Sequence, residues 1–67
     1  MNAATLVEAA VFYRNLAGEL QCYLTRTDPA ACATVAEAAE ELRRGRPAMV
    51  RADDCEDVER AVKGEGE

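Results

Sequence analysis

The chain has 67 residues, and its 13 acidic and 8 basic side chains give a formal net charge of −5. This length allows one domain near the lower limit for independent folding, and the acidic balance argues against direct binding of nucleic acid. The chain contains neither histidine nor serine, which removes the common zinc ligand sets and serine-based catalysis.

The N-terminal third has apolar residues at the spacing of an amphipathic helix. Steps of three and four residues predict helix 1 over residues 2–24, capped by Asn2 or Thr5. Gly18 is the weak point, because glycine inside a helix costs about 1 kcal/mol relative to alanine. If the helix ends there instead, residues 19–25 alternate in the manner of a strand, and both interpretations stay open. The apolar positions of the helical pattern are Leu6, Ala10, Tyr13, Ala17, Leu20 and Leu24.

A clear helix start follows at Asp28, a strong capping residue directly before Pro29. Helix 2 is predicted from Pro29 to Arg44, with Gly45 ending it in a left-handed conformation. Its apolar stripe consists largely of small residues. We therefore expect helices 1 and 2 to approach closely and form an antiparallel hairpin.

The segment after Gly45 contains a proline and is predicted to be extended, either as a short strand or as an irregular crossing over the hairpin. Met49 and Val50 are expected to pack inward. Helix 3 is predicted to begin at Asp53 or Asp54 and to stop at Gly64, which leaves residues 64–67 as a frayed acidic C terminus.

These elements predict a mainly α fold, a small three-helix domain over residues 1–63 built on an antiparallel helical hairpin. The alternative is a small α/β domain with two short parallel strands at 19–25 and 47–51, neighbours joined by helix 2. A core this rich in alanine buries little apolar surface, so a lone monomer would be only marginally stable. We therefore expect a homodimer.

The three cysteines, Cys22, Cys32 and Cys55, form no Cys-x-x-Cys pair. We interpret them as reduced thiols of a cytoplasmic protein, with a Cys22–Cys32 pair as the alternative. The N terminus lacks a charged region followed by an apolar run, so we expect neither a signal peptide nor a membrane span. No catalytic residue, metal ligand set or cofactor motif is identified.

Charge is divided sharply along the chain. Residues 53–67 carry seven acidic and two basic side chains, and four arginines come shortly before them. Such polarity suits docking to another macromolecule, although helix-dipole pairing and a solubilising terminus would also account for it. The candidate basic contacts are Arg43, Arg44, Arg46 and Arg51. The candidate acidic contacts are Asp53, Asp54, Glu56, Asp57 and Glu59.

Helix 1 is predicted to carry a wider apolar and aromatic band than one packing seam requires. Burial in the core of the same subunit is one explanation of this band, and a second face that pairs two subunits is the alternative. The candidate apolar interface consists of Phe12, Tyr13, Leu16 and Tyr23.

These features predict a small non-enzymatic module that binds another protein and occludes a larger partner. The specific form we expect is an inhibitor of a host nucleic-acid-handling or defence complex, whose basic surface the acidic residues would engage. Small acidic proteins of phages and mobile elements, including many anti-CRISPR proteins, are similar to this chain in size and charge only. The alternative is a structural or regulatory subunit that completes a helical homo- or hetero-oligomer. Neither contact with a membrane nor a cofactor is expected.

Overall fold

The segment predicted as helix 1 forms two β-strands. The computed structural model describes residues 5–64, and in it strand β1 spans Val7–Arg14 and strand β2 spans Leu20–Thr27. Asn2, predicted as a helix cap, and residues 65–67 of the predicted acidic terminus lie outside the described residues. The remaining elements are helix α1 over Val35–Arg43, strand β3 over Ala48–Arg51 and helix α2 over Cys55–Lys63.

The three strands form one antiparallel sheet in the order β2-β1-β3. β2 and β3 therefore run in the same direction on either side of β1, and α1 connects them in a split β-α-β arrangement. The prediction of a mainly α, helical protein is wrong. The α/β alternative is also wrong in its topology: strands do occupy much of 19–25 and 47–51, but β1 separates them, so they are not neighbours.

β1 is the central strand and carries apolar residues on both of its sides. Ala10 and Phe12 point to one side and are fully buried, whereas Val11 and Tyr13 point to the other and are half-buried. A strand with apolar residues on both sides shows no alternation of polar and apolar residues. Its continuous apolar run therefore matched the helical spacing by coincidence, which is the physical reason for the wrong prediction.

A tight turn over residues 15–19 joins β1 to β2. The side-chain oxygen of Asn15 accepts hydrogen bonds from the backbone N–H groups of Ala17 at 3.0 Å and Glu19 at 2.9 Å. Gly18 has a φ of +82°, in the left-handed region that favours glycine. The residue that weakened the helix prediction is thus one that the hairpin turn requires.

Helix α1 starts later than predicted, because Asp28 caps only a short 3₁₀ turn over Pro29–Ala31. The start of α1 is a capping box. The Thr34 hydroxyl accepts from the N–H of Glu37 at 3.1 Å, and the Glu37 carboxylate accepts from the N–H of Thr34 at 3.1 Å. The Thr-x-x-Glu spacing in the sequence is the local signal for this start, whereas the Asp-Pro pair marks only the 3₁₀ turn.

The end of α1 is as predicted, with Gly45 in a left-handed conformation at a φ of +80°. The N–H of Gly45 donates to the carbonyl of Leu42 at 3.1 Å, and the N–H of Arg46 donates to the carbonyl of Glu41 at 2.9 Å. This pair of bonds is a Schellman motif, which satisfies carbonyl groups that the helix end leaves without partners.

Residues 48–51 form a strand rather than an irregular crossing. Val50 is buried as predicted, but Met49 lies on the opposite side of the sheet, because successive side chains in a strand alternate. A 3₁₀ turn over Ala52–Asp54 leads into α2, and Asp54 is its N-cap residue without a side-chain capping bond. Helix α2 ends at Gly64 as predicted.

The core lies between the sheet and the two helices. Helix α1 packs against α2 and against β1 and β3, and Val58 of α2 joins the same buried cluster. The predicted hairpin of helices 1 and 2 does not exist, because the segment of helix 1 forms β1 and β2. The sheet consequently has a helix-covered face and an open face. The fully buried residues that pack together on the helix-covered face are Ala10, Phe12, Ala38, Leu42, Val50 and Val58.

Candidate functional site

The open face of the sheet carries a row of apolar side chains. Tyr23 of β2, Val11 of β1 and Met49 of β3 are paired across the three strands. Tyr13 lies beside this row, and its ring centroid is 6.1 Å from that of Tyr23. Among the described strand residues, Arg51 is the only charged one on this face. The centre of the open face is therefore apolar and partly aromatic, a composition typical of the centre of a protein interface. The polar residues Gln21, Thr25, Thr27 and Arg51 lie around it.

Strand β2 forms one edge of the sheet, and the hydrogen-bond register shows which of its backbone groups point outward. The N–H of Asn15 donates to the carbonyl of Glu19 at 3.0 Å. Backbone groups alternate in direction along a strand. The N–H and carbonyl of Tyr23 therefore point toward β1, and those of Cys22 and Leu24 point outward. Within residues 5–64, no backbone group binds these outward N–H and carbonyl groups. The edge of β2 is open to another strand.

The other edge of the sheet is partly covered. Alternation directs the backbone of Met49 in β3 outward, and its carbonyl accepts a hydrogen bond from the N–H of Ala33 at 2.8 Å. This bond is independent support for the same register. Because the backbone groups of Met49 point away from β1, those of Val11, its partner in β1, must bond toward β2. Edge strands are commonly protected by proline, lysine or a covering loop. β2 contains neither proline nor lysine, and Arg26 is its only charged residue.

Exposed apolar side chains flank the β2 edge on both faces. Tyr23 on the open face is 55% exposed, and Leu24 on the other face is 60% exposed. Leu24 points to the side of the sheet that carries the helices, yet the helices do not extend over it. Both side chains therefore lack the neighbour that a further strand would supply. We call this region, Leu20–Thr27, the β2 edge.

The structure divides the four residues of the predicted apolar interface among three places. Phe12 is fully buried in the core and does not reach the surface of the folded chain. Tyr13 and Tyr23 lie together on the open face. Leu16 lies at the tip of the hairpin turn and is fully exposed. The sequence pattern missed Val11 and Met49, because their place on this face depends on the strand register.

The predicted basic contacts form two groups. Arg43 and Arg44 pair with Glu40 at 3.3 and 2.8 Å, and Arg46 pairs with Glu41. The hydrogen bond from Arg46 lowers the pKa of the Glu41 carboxyl below its usual range. Arg51, by contrast, is on the open face of the sheet. The arginines at the end of α1 are thus engaged in surface ion pairs on their own helix.

The predicted acidic contacts lie on the 3₁₀ turn before α2 and on α2 itself. Asp53 and Asp54 are in the turn, and Glu56, Asp57 and Glu59 are on the helix. Asp57 accepts a hydrogen bond from Arg60 at 2.9 Å. Val58 places α2 on the helix-covered side of the sheet. Asp53, in contrast, lines a shallow depression with Val7 and Arg51, two residues of the open face. The acidic residues are therefore divided between α2 and the rim of the open face.

A cluster of two thiols and a carboxylate joins β2 to α2. The Sγ atoms of Cys22 and Cys55 and a carboxylate oxygen of Glu59 all lie within 4.8 Å of one another. Burial raises the pKa of the Cys55 thiol, and the neighbouring Cys22 thiol and the negative charge of Glu59 raise it further. All three cysteines are free, and Cys32 is not part of the cluster. The fold brings Cys22 next to Cys55 rather than Cys32.

Two shallow depressions on the surface are lined mainly by charged and small residues. One runs along α2 beside Glu56, Arg60 and Lys63, and the other lies between Val7 and Asp53. Neither depression contains a nucleophile beside a base, the arrangement that covalent catalysis requires.

Within residues 5–64, neither helix has the length and apolar character needed to cross a membrane. Comparisons with protein family models, with curated proteins and with solved structures find no match, so the function of this chain is inferred from its own residues and geometry.

Proposed function

We propose that this protein is a small non-enzymatic structural subunit that assembles through its β2 edge. The partner strand at this edge is β2 of a second copy. The observation that carries the proposal is the combination of outward backbone groups at Cys22 and Leu24 with exposed apolar side chains on both faces. Adding a strand to an open edge is a common mode of protein association.

A second copy fits this edge for reasons of symmetry and size. A two-fold axis beside β2 and perpendicular to the sheet places the same strand from two chains side by side in antiparallel orientation, which is the pairing already used throughout this sheet. A chain of 67 residues is also near the limit at which one core is sufficient, and association is a usual remedy. The product would be a continuous six-stranded sheet with helices on one side.

This arrangement would also extend the open face. The row formed by Tyr23, Val11 and Met49 in one subunit would continue into the corresponding row of its partner. Its apolar character supports contacts between proteins rather than binding of an anionic polymer. Charge-led occlusion of a nucleic-acid-handling complex has less support, because the acidic residues of α2 lie away from this face. Three free cysteines support a reducing compartment such as the cytoplasm.

Replacing Leu24 with lysine should weaken self-association by at least about tenfold, a change of about 1.4 kcal/mol. Lysine at an exposed edge position opposes strand pairing by placing a charge where the second strand would pack. Because Leu24 is already 60% exposed, the monomer fold should be retained. Sedimentation velocity over a range of protein concentrations measures the association, and circular dichroism checks the fold.

The matched control is Leu16→Lys, which makes the same chemical change at an exposed leucine outside the β2 edge. This variant should associate like the natural chain. Association should also persist at high salt, since the pairing surface is largely uncharged. A monomeric natural chain at every concentration, or equal loss of association in both lysine variants, would refute assembly through the β2 edge.

A further inference from the structure

We propose that Cys22, Cys55 and Glu59 form a binding site for a thiophilic divalent cation, with Zn²⁺ as the best match. The three ligand atoms come from two elements distant in sequence, β2 and α2, and lie within 4.8 Å of one another. This inference is independent of self-association, because the side chain of Cys22 points toward α2 while its backbone points out of the sheet edge.

The spacing is close to what zinc requires. With Zn–S distances of about 2.3 Å and Zn–O distances of about 2.0–2.2 Å, ligand atoms around a tetrahedral zinc ion lie about 3.4–3.8 Å apart. The ligand atoms of this cluster are separated by 4.8 Å at most. Side-chain rotations that move these atoms by about 1 Å would therefore bring their separations into that range. Three protein ligands leave one coordination position for water, and the exposure of Cys22 keeps that position accessible to solvent.

The presence of the Glu59 carboxylate favours a metal-binding site over a pair of thiols that forms a disulfide. A disulfide between Cys22 and Cys55 would need neither Glu59 nor any other acid. A divalent cation can take both sulfur atoms and the carboxylate oxygen as ligands together, and these three atoms lie within 4.8 Å of one another. Zinc accepts both sulfur and carboxylate oxygen ligands, so the mixed set suits its coordination chemistry.

Binding at this place would tie α2 to the β2 edge. Cys55 is the first residue of α2, and Cys22 lies near the middle of β2. The metal would add a cross-link between a helix and an edge strand in a chain whose core is small. Any ligand that binds only the folded state raises stability according to its concentration and affinity. The site therefore has a structural role that does not depend on a catalytic one.

The test is a titration of the reduced protein with Co²⁺ under anaerobic conditions, followed by displacement with Zn²⁺. The natural chain should bind one equivalent of Co²⁺ and show a thiolate-to-cobalt charge-transfer band. Cys22→Ser and Cys55→Ser should each lose this band. Glu59→Gln should bind at least about tenfold more weakly, because even the loss of a group that only hydrogen-bonds to a metal ligand costs about 10–100-fold in affinity.

Two variants are matched controls: Cys32→Ser removes the cysteine outside the cluster, and Glu56→Gln removes a neighbouring acid that is not a ligand. Both should keep the charge-transfer band. Zn²⁺ should also raise the melting temperature of the natural chain and of Cys32→Ser, but much less that of Glu59→Gln, a substitution on the helix surface.

Three results would overturn the site. The first is no charge-transfer band in the natural chain. The second is a band that survives in Cys22→Ser. The third is a chain that takes up no metal anaerobically and instead forms a Cys22–Cys55 disulfide on addition of a low-molecular-weight disulfide, which would identify a thiol pair without a metal.

Discussion

Phe12→Ala is expected to lower the free energy of unfolding by about 3–5 kcal/mol, which is close to the whole stability of a domain this small. Phe12 is fully buried at the centre of the core, where it packs with Leu42, Val50 and Val58. Removing its ring would leave a cavity between the sheet and both helices. Urea denaturation followed by circular dichroism measures the effect, and at 25 °C the variant should be largely unfolded.

The neighbouring residue supplies the control. Tyr13 is next in sequence but lies on the open face, where it is only half-buried. Tyr13→Ala should therefore cost clearly less stability than Phe12→Ala and leave a folded chain. If Phe12→Ala kept its stability and lost only self-association, Phe12 would belong to an interface and the strand assignment of β1 would be wrong.

Proline substitutions at two adjacent positions of β2 should have opposite consequences. Tyr23→Pro removes an N–H that the register directs toward β1, so it should cost at least about 1–3 kcal/mol of stability and disrupt the hairpin. Leu24→Pro removes an N–H that points out of the sheet. Because edge strands tolerate proline at such positions, this variant should fold but remain monomeric.

Thermal melts and sedimentation of the two proline variants distinguish these outcomes. A stable Tyr23→Pro beside an unfolded Leu24→Pro would show that the register is shifted by one residue. Equal stability with unchanged association in both variants would show that neither N–H takes part in strand pairing.

The C-terminal half of the fold could be predicted largely from local signals. Gly45 ends α1 in a left-handed conformation, and Gly64 follows the last turn of α2. These signals act over a few residues and do not depend on distant contacts. The predicted start of α1 is wrong only because Asp28 and Pro29 form a capped turn of their own, whereas the Thr34–Glu37 capping box marks the start of the helix.

The N-terminal half could not be predicted in this way, because its pattern is set by tertiary contacts. β1 carries buried core residues on one side and its own partly buried apolar residues on the other, so it shows no alternation of polar and apolar residues. Alanine is common in this segment and favours helix intrinsically, but burial in the sheet overrides that weak preference. The sequence contained the correct cue in Gly18, which marks the turn between two strands.

The candidate sites, like the N-terminal half, could be predicted only in part from the sequence. Tyr13 and Tyr23 were identified from their aromatic character, but their contact across the sheet depends on strand pairing. Cys22 and Cys55 are far apart in the chain and belong to no spacing motif, so only the folded structure brings their sulfur atoms together with Glu59. The charged residues were easy to find in the sequence, yet several of them pair within their own helix.

Amide hydrogen exchange of β2, followed by NMR, tests assembly through the β2 edge most directly. At concentrations where the chain associates, the amides of Cys22 and Leu24 should be protected, and on dilution they should exchange rapidly while the inward-pointing amide of Tyr23 stays protected. Protection of Cys22 and Leu24 should also be lost in Leu24→Lys but not in Leu16→Lys. If these two amides exchange freely at every concentration while Tyr23 remains protected, the β2 edge is not paired and the proposed assembly is wrong.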